Sequence, residues 1–201
     1  MEYHKIQSIY KRDPETKLRT FLDEFSTPEF ELLRDIDWVF TEKVDGTNIR
    51  IMWDGKVRFG GRTDTSQIPT FLLNKLQDMF NPEMFASFEN ICLCGEGYGP
   101  KIQKRGGNYR EDASFVLFDV NIDGWWLRRE EVEDIAKKMN LDVVPIIGHG
   151  TLKDMVSMTK GGFKSQWGDF EAEGIVARPR VELFDRAGNR IITKVKCRDF
   201  R

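Results

Sequence analysis

The reading of this chain turns on Glu42-Lys43-Val44-Asp45-Gly46-Thr47-Asn48, which follows the apolar run Trp38-Val39-Phe40. An apolar run that gives way to Asp-Gly reads as a buried strand ending in a turn, so Lys43 is expected where a strand leaves the core, half out of water. A free lysine amine has a pKa of about 10.4, and in its protonated form it attacks nothing. Partial burial and a neighbouring cation both push that pKa down, which is how a lysine becomes a nucleophile. A nucleophilic Lys43 therefore requires phosphate-binding cations and metal-binding carboxylates elsewhere in the chain. A surface lysine ahead of a hairpin turn is the competing reading of the motif taken alone.

Bulk composition narrows the class. At 201 residues the chain is long enough for one substantial core. A hydrophobic share of 40% with 32% charged residues is that of a soluble globular protein. The 31 basic and 33 acidic side chains nearly cancel, so any surface for nucleic acid has to be local. No stretch has the length of a transmembrane helix, and Met1 to Arg12 lacks the apolar core of a signal peptide, so a cytoplasmic protein is expected. Cys92, Cys94 and Cys197 are an odd number and suit free thiols in a reducing compartment. Cys92 and Cys94 have no second pair to complete a metal site, and buried thiols on a core strand are expected.

Working outward from the quoted stretch, Thr27-Pro28 with Phe30, Leu33 and Ile36 predicts a short helix. Strands are expected over residues 37–43 and 47–53, then a tight Asp54-Gly55 turn and a strand over 56–60. Pro69 opens a second helix with Leu72, Leu73, Leu76, Met79 and Phe80 on one face. Further strands are expected over 91–95 and 114–120, a third helix over 129–139, and strands over 143–147, 173–177 and 191–197. Strands outnumber helices and several are joined by hairpin turns. The expected fold class is α+β, antiparallel sheets with helices packed outside.

Candidate site residues recur along this frame. Arg62 follows Gly60-Gly61, where a guanidinium on a glycine-rich turn can fork onto a phosphate or sugar. Glu96 leaves an apolar strand between Gly95 and Gly97, which let a ligand approach the backbone. Lys101, Lys104, Arg105 and Arg110 share a glycine-containing loop with Tyr109, a composition suited to a nucleic-acid end or a polyphosphate. Phe118 lies in an apolar strand, available to pack in the core or to stack on a base. Glu173 stands at the mouth of a strand. Lys194 and Lys196, two apart, project from one face of the last strand while Val195 takes the other, and two such amines repel unless an anion lies between them. Taken singly, each has an ordinary structural explanation.

Taken together and in order, they resemble the motifs of the covalent nucleotidyltransferases, the superfamily of polynucleotide ligases and mRNA capping enzymes. Lys43-Val44-Asp45-Gly46 looks like motif I, Glu96 motif III, Phe118 motif IIIa, Glu173-Gly174-Ile175-Val176 motif IV, and Lys194-Val195-Lys196 motif V, so the likeness covers nearly the whole chain. Asn48 stands where DNA ligases and capping enzymes usually carry arginine. K-x-x-G-x-N, with Gly97-Tyr98-Gly99-Pro100-Lys101-Ile102 and Tyr109, resembles the ATP-dependent RNA ligases.

That resemblance implies an adenylyltransferase domain of the ATP-grasp-like ligase type spanning residues 1–201; the oligonucleotide-binding domain that DNA ligases and capping enzymes carry after motif V is not expected in this chain. It implies joining of RNA 3′-hydroxyl and 5′-phosphate ends, as in RNA repair, through a lysyl-AMP intermediate, with ATP as AMP donor and magnesium or manganese as cofactor. Lys43 is then the nucleophile. Lys194 and Lys196 hold the α-phosphate, and Asp45, Glu96 and Glu173 lie near the metal. Glu42, Asn48, Arg62, Glu96 and Phe118 join Lys43, Glu173, Lys194 and Lys196 in binding the nucleotide, Phe118 by stacking on adenine. A DNA-nick ligase of the same chemistry, a GTP-using capping enzyme and an inactive nucleotide- or RNA-end-binding module are the alternatives.

Overall fold

A computed structural model of the chain describes residues 2–16 and 20–201. In chain order its elements are β1 (Gln7–Ser8), β2 (Tyr10–Arg12), β3 (Thr20–Phe25), α1 (Pro28–Leu32), β4 (Trp38–Glu42), β5 (Thr47–Trp53), β6 (Val57–Gly60) and α2 (Thr70–Met79). There follow β7 (Ile91–Tyr98), β8 (Ser114–Ile122), β9 (Trp125–Trp126), α3 (Arg129–Met139), β10 (Asp142–Val143), β11 (Ile146–Gly150), α4 (Leu152–Gly161), β12 (Gly174–Pro179) and β13 (Thr193–Lys196). The chain forms two compact units, one of Lys5–Val44 with Pro145–Arg201 and the other of Met1–His4 with Asp45–Val144.

In the first unit the sheet runs β1-β13-β12-β4-β11, antiparallel except where β1 lies parallel to β13, and β2 pairs β3 as a separate hairpin. Side chains alternate faces along a strand, so Trp38 and Phe40 of β4, Ile175 and Ala177 of β12, and Val195 of β13 all enter one core. Phe30, from α1, and Leu152 and Met155, from α4, close that core. Fully burying each large apolar side chain contributes about 1.5–3 kcal/mol. The alternation that sinks Val195 leaves Lys194 and Lys196 together on the opposite face.

In the second unit the sheet runs β10-β8-β7-β5-β6, with β9 beside β8 and with β10 parallel to β8. Ile49, Ile51, Leu93, Phe115, Leu117 and Val120 face α2 and α3, which bury Leu72, Leu76, Val132, Ile135, Ala136 and Met139. The β7–β8 register breaks between Cys94 (opposite Asp119) and Gly95 (opposite Leu117), leaving Phe118 as the extra residue of a bulge. A bulge re-aims the side chain at the break, and Phe118 is half-buried where its neighbours are buried.

The α+β class with antiparallel sheets and few helices is as the alternation and turn signals predict, and the helix over 129–139 has the predicted bounds. One expected strand is not a single strand. Residues 143–147 divide at Pro145: Val143 ends β10 on the sheet of the second unit, and Ile146 begins β11 on that of the first. Proline has no N–H to continue a ladder, and here its carbonyl accepts from Glu42 N at 3.1 Å. The sequence reading also passed over α4, although Thr151 and Asp154 form a capping box in which each side chain receives the other's backbone N–H, at 3.2 and 2.9 Å.

Candidate active site

Five of the expected site residues lie in the first unit. The end of β4 delivers Glu42 and Lys43, and Lys43 N donates to Gly174 O at 2.9 Å, which ties the lysine to the start of β12. Gly174 pairs in register with Lys196, and Val176 with Lys194, so three strand ends meet around one carboxylate. Glu173 Oε2 is 2.5 Å from Lys43 Nζ, and Glu173 Oε1 is 2.6 Å from Lys196 Nζ. The three side chains are 17%, 12% and 18% exposed, so the bridge is largely but not wholly withdrawn from water. Burial alone would raise the Glu173 carboxyl, but the charges and hydrogen bonds of Lys43 and Lys196 outweigh it and hold the group below its usual range.

Lys194 has the opposite balance. Burial, then the charges of Lys43 and Lys196, push its amine down to about 8, with Glu173 opposing and Arg12 adding to the fall. An anion delivered here would meet three amines, two of them paired with Glu173. Arg12 itself makes a forked pair with the buried Asp199, at 2.8 and 2.7 Å, and Lys196 N donates to the same carboxylate at 3.0 Å.

Glu42 is buried, at 1% exposure, and its carboxylate accepts from Ser165 Oγ at 2.6 Å and from Gln166 N at 2.7 Å. Burial raises its pKa, and those two donors pull partly against the rise. The side chain thus clamps the loop after α4 onto the strand that carries Lys43.

The other five expected residues, Asp45, Asn48, Arg62, Glu96 and Phe118, lie in the second unit. Asn48 and Glu96 are register partners across β5 and β7 and so project from the same face of the sheet. Asn48 Oδ1 is buried and has no hydrogen-bond partner among the described residues, which makes it an acceptor awaiting a donor. The turn at residues 45–46 packs closely on Glu96, since a Cβ on Gly46 would stand 2.7 Å from Glu96 Cγ. Asp45 N donates to Tyr109 Oη at 3.1 Å, and Gln103 Nε2 to Gly46 O at 3.1 Å. Phe118 meets Tyr3 edge-on with ring centroids 5.2 Å apart, and Tyr3 donates to Asp119 at 2.5 Å. Arg62 is exposed.

Several supporting residues escaped the sequence reading. Arg50 is fully buried on β5, donating to Gly61 O at 2.6 Å and to Asp64 at 2.8 Å, and so it shapes the turn that presents Arg62. A charged residue between Ile49 and Ile51 was the available signal. Ser165 gives none, because Lys164-Ser165-Gln166-Trp167 reads as an ordinary polar loop. Among the described residues no three His, Cys, Asp or Glu side chains converge as a metal cage. Magnesium keeps most of its waters and binds through one or two carboxylates together with substrate phosphates, and single carboxylates such as Glu173, or Asp45 and Glu96, fit an ion of that kind.

A family model described as RNA ligase matches residues 36–196, and the chain belongs to the RNA ligase family. Solved structures of Naegleria gruberi RNA ligase share its fold. An apo mutant of that ligase matches at 17% identity and a TM-score of 0.67, over 100% of this chain and 56% of that one. A mutant with ATP and Mn matches at 18% identity and 0.67, over 98% and 56%, and the ligase with PPi at 19% and 0.66, over 98% and 56%. This chain thus spans about half the length of the ligase it matches. A search of curated protein sequences finds no match. No helix among the described residues is long and apolar enough to cross a membrane.

Proposed function

We propose that residues 1–201 are an adenylyltransferase domain of the ATP-grasp-like ligase type. The domain loads AMP from ATP onto Lys43 and joins RNA ends carrying a 3′-hydroxyl and a 5′-phosphate. The observation that carries this reading is the Lys43–Glu173–Lys196 bridge with Lys194 beside it. Family membership and the ATP and Mn bound by a ligase of the same fold support it.

In the first step Lys43 Nζ attacks the α-phosphorus of ATP. A nitrogen–phosphorus bond forms, the bond to the bridging oxygen of the β-phosphate breaks, and pyrophosphate leaves. An oxygen of an RNA 5′-phosphate then takes the AMP from Lys43, and a 3′-hydroxyl finally displaces AMP to form the phosphodiester. Each step brings an electron-rich atom to an anionic phosphorus, so positioning and charge neutralisation supply most of the catalysis. Lys194 and Lys196 hold the α-phosphate. Asp45 and Glu96 in one unit, and Glu173 in the other, are the carboxylates that would take a hydrated divalent ion, which would neutralise phosphate charge. Glu173 holds the Lys43 ammonium in the resting pair, and loss of that proton to solvent water leaves the nitrogen lone pair free to attack.

In this reading Asn48 Oδ1 accepts from a ribose hydroxyl, which would satisfy the unpartnered atom. Phe118 stacks on adenine, Arg62 contacts sugar or phosphate, and Glu42 belongs to the nucleotide site through the loop it clamps. The test is intact mass after incubation with ATP and magnesium. The wild type gains one AMP and Lys43→Ala gains none; a wild type of unchanged mass would favour a binding module without chemistry. Matched RNA and DNA nicks then separate an RNA ligase from a DNA-nick ligase.

A further inference from the structure

Residues 99–112 connect β7 to β8 and carry Lys101, Lys104, Arg105 and Arg110 in a chain whose net charge is -2. A run of cations is ordinarily a loose, solvated loop, but this one is pinned along its length. Ile102 packs on the hydrophobic core, and Gln103 reaches Gly46 O. Gly106 sits so close to the start of the loop that a Cβ there would stand 2.7 Å from Gly99 C. Tyr109 is buried, edge-on to Tyr98 with centroids 5.9 Å apart, and its hydroxyl accepts from Asp45 N. Arg110 lies over the Tyr98 ring and donates to Asp112 at 2.6 Å.

Between these anchors Lys101, Lys104 and Arg105 are exposed, and among the described residues no ion pair engages Lys101 or Lys104. Lys101 also holds φ 66, a left-handed conformation that costs a residue with a Cβ about 1 kcal/mol or more. Both lysine side chains stand exposed on a loop whose neighbouring residues are anchored. Gln103 and Tyr109 of the same loop hold the turn that follows Lys43 in the chain.

We propose that Lys101 and Lys104 form a docking site for the phosphodiester backbone of an RNA strand, held against the turn at residues 45–46 by Gln103 and Tyr109. The identity of the polyanion as RNA rests on the ligase reading above. The polyphosphate of ATP shares the chemistry, and the test separates the two.

The probe is a 5′-phosphorylated single-stranded RNA oligonucleotide, titrated by fluorescence anisotropy at several salt concentrations against the full chain and Lys101→Asn/Lys104→Ala. Asparagine is chosen at 101 because it tolerates positive φ. Loss of two phosphate contacts is expected to weaken binding on the order of tenfold at low salt. It should also reduce the slope of log K against log salt by about 1.4, at about 0.7 per contact on a single strand. Lys104→Ala alone, with about half that change in slope, serves if the double variant melts abnormally by circular dichroism. The same preparations are weighed after incubation with ATP and magnesium. Weakened RNA binding with AMP loading retained is the expected pair. Loading and RNA binding weakened together would assign the lysines to the nucleotide, and an unchanged slope and affinity would leave them as solvated charge; either overturns the proposal. A wild type that fails to load would sink the ligase reading of Lys43, while the RNA titration would still decide this one.

Discussion

Glu173 Oε2 lies 2.5 Å from Lys43 Nζ, and that carboxylate serves Lys196 with its other oxygen. The nucleophile candidate therefore has an anion as its partner, beside the neighbouring cations that the sequence suggests. Glu173→Gln keeps the shape and removes the charge that Lys43 and Lys196 share. Stability is expected to fall by about 1–3 kcal/mol in urea titrations, with AMP loading slowed on the order of tenfold or more. Wild-type loading by this variant would remove Glu173 from the mechanism.

The Lys194 amine, pushed down to about 8 from 10.5 by burial and then by Lys43 and Lys196, makes stability depend on pH. Between those values the unfolded chain binds a proton that the folded chain lacks, so unfolding free energy rises with pH across the window and the full penalty stands below it. Lys194→Met lifts the penalty. At pH 7 it should be more stable than the wild type by about 1–2 kcal/mol, after discounting solvent screening of a part-exposed amine. The gap should close towards pH 10.5. Urea midpoints of both proteins in chelator, taken across the window, check this, and a gap that does not change with pH would contradict it. The same variant should lose AMP loading.

Gly174 is held by sterics. A Cβ there would stand 2.7 Å from Lys196 Cα, so Gly174→Ala must push β12 from β13 at the register pair that brings Glu173 to Lys196. Overpacking of this kind costs about 1–3 kcal/mol. Loading should fall further than stability alone explains, since the displaced strand carries Lys194 and Lys196, the lysines proposed above to hold the α-phosphate; melting curves and loading rates on one preparation compare the two losses.

How much of this was readable from the residues depends on range. The alternation Thr193-Lys194-Val195-Lys196 gives the strand and its lysine face directly, because a period of two is local. The helix over 129–139 was equally plain, as Val132, Ile135, Ala136 and Met139 are the residues it buries. The Glu173 bridge was not, since it joins residues 130 apart in the chain and spacing carries no distance. Nor was the setting of Phe118, because a bulge leaves an apolar run looking unbroken. Nor was the clamp on Glu42, because Ser165 and Gln166 become donors to it only once the loop after α4 has folded back. Local chemistry was legible; the long-range partners that tune it were not.

Tyr109 offers the sharpest separation of positioning from contact. Its hydroxyl accepts the Asp45 N–H at 3.1 Å, while its ring is buried edge-on to Tyr98. Tyr109→Phe keeps the ring and deletes only the oxygen, leaving a backbone donor to find water. The expected loss of stability is about 1 kcal/mol, the usual net value of one hydrogen bond plus part of the desolvation of its orphaned partner. The turn at residues 45–46 is then held by Gln103 alone of the two, so Asp45 should wander and the rate of AMP loading should drop several-fold with the apparent affinity for ATP nearly unchanged. Steady-state loading kinetics over a range of ATP concentrations distinguish this from a direct nucleotide contact, which would raise the ATP concentration needed for half-maximal rate and leave the maximal rate in place.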